Sequence, residues 1–179
     1  MYERLWLNNG DKFTAECVEH IEEGISNLDA MFIESPEYQG CYYRLVNGEA
    51  EWINPPLVLD EIYRTTERYA GAPVYIIRTE YSSLPSSATY LSKWLIPYGS
   101  GISVRVIDYW AMIKPIDGIN YTRLPMMSND GSKVAAWCWT QSKPETGGLA
   151  TIIHTSGDYS KYNGFFTVKF VYQDDLSQQ

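Results

Sequence analysis

The sequence is short of the residues on which most protein chemistry relies. It has only two histidines, His20 and His154, and no HExxH or HxH spacing, so a zinc site or a Ser-His-Asp triad lacks its partners. Its three cysteines, Cys17, Cys41 and Cys138, are scattered and form no CxxC pair. A complete disulfide framework is thereby excluded, and they read as buried reduced thiols that behave as small hydrophobes. Positive charge is scarce as well: 14 Lys and Arg stand against 22 Asp and Glu, a net charge of −8, which leaves no electrostatic footprint for nucleic acid. No apolar run approaches the ~20 residues of a membrane span. The opening MYERLWLNNGDKF lacks the basic and apolar regions of a signal peptide, so the expectation is a soluble protein made in a cytoplasm, with no membrane partner. There is no GxSxG elbow, P-loop or glycine fingerprint, and nothing asks for a cofactor or a metal.

What is abundant is aromatic. Fifteen Tyr and six Trp bring the aromatic share to 15%, and such residues suit both pleated half-buried strands and ligand contact. With 179 residues the chain can bury a core without disulfides, as one main domain plus an appendage.

The pattern is helical over residues 14–28. Thr14 can cap it, Glu16 and Glu19 suit the positive end of its dipole, and Val18, Ile21, Ile25 and Leu28 fall at a, d, a, d of a heptad, with Phe32 next in phase. Glu19, Glu22, Glu23 and Asn27 face away. Two readings of this narrow stripe stay open: a coiled-coil seam, or a helix packed on its own domain. Ile21 at d and Ile25 at a point a seam towards three strands rather than two. Gly24 lowers the helix propensity.

Beyond Ser35-Pro36 the texture is that of strands. Runs at 41–46 and 49–53 flank Asn47-Gly48, the strongest short hairpin signal, and runs at 63–69 and 73–81 flank Ala70-Gly71-Ala72. Further runs at 88–96, 102–113, 119–124, 133–140, 149–155 and 165–172 are separated by turn-rich connectors and never by helical periodicity. The predicted fold is all-β: an attachment segment with one short helix over 1–36, then an antiparallel β-sandwich or jelly-roll-like head over 37–179.

Among candidate site residues the carboxylates Asp60 with Glu61, Glu67, Glu80, Asp108 and Asp117 could meet in space as glycosidase acids do, but solvated edges and turns account for them equally. Asp130 and Asp158 read as turn residues, in loops too poor in acids for calcium. The reading is a protein without catalytic residues. The aromatics are more informative. Tyr98, Tyr109, Trp110, Tyr159 and Tyr162 are the candidate ligand contacts, with Tyr98, Tyr159 and Tyr162 expected to be exposed in connectors. Trp137 and Trp139 share one face of a strand, and the core reading is favoured for that pair.

The stretch WINPPLVLDEIYRTTERYAGAPVY, residues 52–75, resembles a segment of fibre and receptor-binding proteins of tailed bacteriophages of gut and soil bacteria. Its marks are Asn54-Pro55-Pro56, then Glu61 with Tyr63-Arg64-Thr65-Thr66-Glu67-Arg68, then Pro73-Val74-Tyr75. Ser83-Leu84-Pro85, the closing Asp158-Tyr159-Ser160-Lys161-Tyr162 and the N-terminal NNGDKFTAECVEHIEEGI resemble the same family. That pattern has a glycine where Leu59-Asp60-Glu61 stands and a lysine before the proline of Gly71-Ala72-Pro73. The resemblance implies a virion appendage, usually trimeric, with a β-sandwich head and no catalytic residues to carry over. Its partners would be other virion proteins and a host cell-surface glycan or protein. The alternatives are a capsid or tail decoration protein with no host ligand, and a small glycan-active enzyme.

Overall fold

The computed structural model describes residues 32–127, 134–143 and 145–177. The helix read over 14–28, with its seam of Val18, Ile21, Ile25 and Leu28, lies outside these residues. In chain order the described elements are β1 (Ile33–Glu34), β2 (Tyr42–Val46), β3 (Glu49–Trp52), β4 (Ile62–Tyr69), β5 (Ala72–Tyr81), β6 (Thr89–Ile96), β7 (Val104–Pro115), β8 (Thr122–Arg123), β9 (Met126–Met127), β10 (Val134–Ser142), β11 (Leu149–Thr155), β12 (Tyr162–Tyr172) and α1 (Gln173–Ser177). The described residues form an all-β fold in two sheets, with α1 their one helix. The larger has eight strands in the order β1-β2-β3-β4-β5-β12-β7-β8, the smaller four in the order β6-β11-β10-β9. Named strands pair antiparallel except β3 and β4, which meet in parallel where Trp52 faces Thr65.

Turn chemistry sets the hairpins. Asn47 and Gly48 take φ of 53° and 83°, as a two-residue turn between β2 and β3 requires. Ala70 and Gly71 do the same between β4 and β5, with φ of 47° and 80°. The structure departs from the patterning in four places, one of them β9, whose two residues no predicted run includes. The run at 119–124 shrinks to β8, and Ile119 is 88% exposed, because β8 lies at the sheet edge. Ile33 and Glu34 already pair with Tyr43 and Tyr42, a strand too short for alternation to reveal. A single turn of helix, α1, follows β12, with Asp174 and Asp175 in its first turn and Leu176 packed on the sheet.

The core lies between the sheets. Phe166, Val168 and Phe170 of β12 join Ala111 and Ile113 of β7 and Ile77 of β5, facing Ile153 and Leu149 of β11 and Ala136 of β10. Tyr81 ties the layers together: its hydroxyl donates to the Thr151 carbonyl at 2.6 Å, and burial pushes its pKa up to about 12. Close approach demands Gly164, where a Cβ would stand 2.7 Å from Ile153 Cδ1. The opposite face of the large sheet is also covered, by a second cluster of Ala72, Val74 and Val171 with Tyr69, Ile107 and Leu176.

Beyond the reach of the small sheet, an ion cluster holds β2 and β3 to β4. Glu51 has no exposed surface, and the guanidinium groups of Arg44, at 3.5 Å, Arg64, at 3.2 Å, and Arg68 surround its carboxylate. Arg64 reaches Glu49 as well, and Arg68 donates to the carbonyls of Thr65 and Glu67. Three strands thus converge on one charge.

The connector between β3 and β4 is fixed at both ends. Asn54 accepts from the Tyr42 amide and donates to the Gly40 carbonyl, both at 2.6 Å, while Leu57 and Asp60 take left-handed φ of 53° and 65°. Asp60 thus adopts a conformation that glycine takes most readily. Its carboxylate accepts from Thr79 at 2.6 Å and from Lys93 at 2.8 Å.

Two outcomes follow. Replacing Glu51 with Ala strands three cations around a hole, and urea unfolding should show a loss of about 3 kcal/mol, the lower end for breaking a buried pair because the arginines are partly solvated. Asp60 supplies the pH dependence. Partial burial penalises its carboxylate, but the bonds from Lys93 and Thr79 outweigh this and hold its pKa below the usual value of 3.8. A depressed pKa stabilises the fold above the unfolded value and ceases to do so as pH falls through the folded one. Lys93→Met should therefore be slightly less stable than the parent at pH 6, by under about 1 kcal/mol, with the gap closing below pH ~3.8 in thermal melts.

Candidate functional site

Among the described residues no group of three or more His, Cys, Asp or Glu stands close enough to hold a metal. Cys138 is half-buried and burial pushes its thiol up to about 11, so a thiolate nucleophile is disfavoured there. His154 is stacked on Trp137 with ring centroids 3.9 Å apart. Five of the six candidate carboxylates each have a partner of their own: Asp60 has Lys93, Glu61 the Tyr63 hydroxyl, Glu67 Lys169, Glu80 Asn163, and Asp108 the Tyr109 amide. Asp158 accepts from the Ser160 hydroxyl and amide, which lowers its pKa, and is the turn residue the sequence suggests.

The five candidate aromatics do not converge. Tyr98 sits in the connector between β6 and β7 and is 60% exposed. Tyr109 and Trp110 are neighbours on β7 and point to opposite faces: Tyr109 stacks on core Phe166, and Trp110 lies on the outer face of the large sheet. Tyr159 and Tyr162, expected to be exposed, are half-buried and packed against the core. Their connector folds back over the end of the sandwich, where the Tyr159 amide donates to Pro85 and the Leu84 amide donates to Tyr162. A surface connector has here turned its rings inward.

A different aromatic surface emerges on the outer face of the small sheet. Register places Trp137, His154 and Tyr90 in one row across β10, β11 and β6, then Trp139, Ile152 and Ser92, then Gln141, Ala150 and Trp94. The core reading of Trp137 and Trp139 is thus corrected. Ala136 and Cys138 take the inward positions between and before them, so both indoles face outward and are half-covered by their neighbours. Tyr90 is 61% exposed and Trp94 39%, with the Trp94 ring centroid 5.4 Å from that of Tyr98.

Backbone geometry positions that pair. Gly148 has a φ of 125°, and a Cβ there would lie 2.9 Å from the Trp94 ring, so only glycine lets the indole rest on the turn. The Gly148 amide donates to Ile102 and the Gly99 amide to Gly147, clasping the β10–β11 turn to the connector that carries Tyr98. Between them opens a cleft of ≈ 360 Å³ lined by Tyr98, Ser142, Lys143, Glu145 and Thr146. Exposed rings beside hydroxyl, ammonium and carboxylate groups make a surface that can stack on one face of a sugar and hydrogen-bond its hydroxyls.

Tyr90 and Trp94 escaped the reading of the sequence, although the signal is there. In Tyr90-Leu91-Ser92-Lys93-Trp94-Leu95 the leucines mark the inward phase, which leaves both rings outside. A second hollow, of ≈ 350 Å³, lies on the far side of the molecule with Trp110 in its lining, beneath the β3–β4 connector. Comparison with protein-family models, with curated proteins and with solved structures finds no match for this chain.

Proposed function

We propose that this chain is a structural module of a tailed-bacteriophage virion, a fibre or receptor-binding protein that attaches to other virion proteins and contacts glycan on the host cell surface. The observation that carries the reading is the exposed Tyr90–Trp94–Tyr98 aromatic face with its polar cleft, on a rigid all-β head. The segment 52–75 and its resemblance to phage fibre proteins support the virion setting. Contacts of this kind are weak one at a time. A trimer joined by the 14–28 helices would present three such faces to one surface and multiply a weak affinity through effective concentration. The head works by adhesion, without catalysis.

A decoration protein with no host ligand would share this fold, and binding separates the two. On an array of bacterial surface polysaccharides the purified protein should be retained by at least one glycan, and the double variant Trp94→Ala, Tyr98→Ala should lose tenfold or more of that affinity, equivalent to about 1.4 kcal/mol or more. Retention on virion proteins alone would identify a decoration protein. Light scattering tests the assembly: a trimer mass at micromolar concentration, reduced to a monomer in Ile25→Asp, is the expected result for a seam of Val18, Ile21, Ile25 and Leu28.

A further inference from the structure

We infer that the hollow lined by Trp110 is a second saccharide site, built for a single pyranose ring and independent of the aromatic face of the small sheet. Its base is the outer face of the large sheet, where Trp110 of β7 stands beside Ile76 of β5, and its roof is the β3–β4 connector through Pro55 and Leu57. The indole is half-buried, so it presents a fixed apolar plane on which a sugar's C–H face can stack. On the rim, the Glu67 carboxylate and the Lys169 ammonium are paired at 2.5 Å.

That pair decides the class of ligand. Together the two charges cancel, so the hollow offers nothing to a phosphate or a free cation. The carboxylate is half-exposed and one of its oxygens meets Lys169, which leaves acceptor sites for neighbouring hydroxyls, while the ammonium has donors to spare. A hydrocarbon ligand would bury this polar pair without satisfying it, whereas a polyhydroxylated ring satisfies it. The floor of the hollow gives an extended peptide no edge to add to, since Ile76 pairs with Tyr63 and Lys169, and Lys169 pairs with Asp108 on its other side.

The hollow is also formed in advance. Asn54 spends its amide on Tyr42 and Gly40, and Asp60 is held by Thr79 and Lys93, so the protein's own hydrogen bonds hold the connector over Trp110. Preorganisation of this sort removes an ordering cost from binding. The volume of ≈ 350 Å³ is at the small end of the ~300–1,000 Å³ of ligand pockets and suits one ring rather than a chain.

The test uses the full-length protein and the methyl glycosides of glucose, galactose, mannose and N-acetylglucosamine, each titrated to tens of millimolar. The indole N–H signal of Trp110, assigned through Trp110→Phe, is the readout. Expected are saturable shifts with at least one glycoside, unchanged in Trp94→Ala and weakened tenfold or more in Glu67→Gln. Thr66, which also lines the hollow, supplies an independent rim variant, Thr66→Val, should Glu67→Gln fail to fold, and a weakened response is expected there too. Absence of a saturable Trp110 shift with all four sugars overturns the site. So does a response that survives both rim variants at full strength, or one that vanishes in Trp94→Ala, which would place the sugar on the other sheet. Failure of this site leaves binding by the small-sheet face untouched, since Trp94→Ala and Trp110→Phe are read separately.

Discussion

Strand β12 has to be hidden on both sides, and most of the architecture answers that requirement. Phe166, Val168 and Phe170 point one way while Val171 and Thr167 point the other, and all five are buried. A strand apolar on both faces needs a cover on each. The four-stranded sheet is the first cover, docked through Ile153 against the gap left by Gly164. The second is assembled from smaller pieces, with Val74 and Tyr69 beside it and Leu176 of α1 folded onto it. Even the hydrogen-bonding positions obey: β12 is flanked by β5 and β7 along almost its whole length.

Away from β12 the sheet continues on different physics. The small sheet does not reach β2 and β3, and apolar burial gives way to one carboxylate shared among three arginines. Removing two kinds of charge from water together is tolerable only when each finds the other, and Glu51 of β3 is placed where β2 delivers one guanidinium and β4 two. The aromatic group around Trp52, with Tyr43 and Tyr63 set edge-on at 5.5 and 5.7 Å, closes the same strands over the other face. Charge on one side and rings on the other carry a parallel junction of a single residue pair.

How much of this was legible in the residues differs by element. Asn47-Gly48 announces its hairpin because positive φ is chemically restricted, and the alternation of Phe166, Val168 and Phe170 announces a half-buried strand. The all-β class follows from such signals. Short elements did not show: β1 has two residues, too few for a period, and α1 is one turn whose only apolar anchor is Leu176. At the candidate surface, Tyr98 was readable as an exposed connector ring. Trp137 and Trp139 were not, since alternation says that they share a face but only the packing of Ala136 says which face that is. Tyr159 and Tyr162 failed in the opposite sense, because whether a connector folds over the end of a sandwich is a tertiary fact. Trp110 shared a dipeptide with Tyr109, and the pleat then sent the two to opposite sides.

The alternation along β6 has a consequence for how this protein can change over time. Leu91 and Leu95 are committed to the interior, while Tyr90, Ser92 and Trp94 stand outside, with Trp94 resting on the Gly148 turn and beside Tyr98. Substitutions at the outer set leave the interior filled, and those at the inner set leave the outer surface in place. One strand therefore carries two nearly independent inheritances, a conservative one that keeps the head folded and a permissive one that selection can rewrite, ring by ring, without risk to the fold beneath.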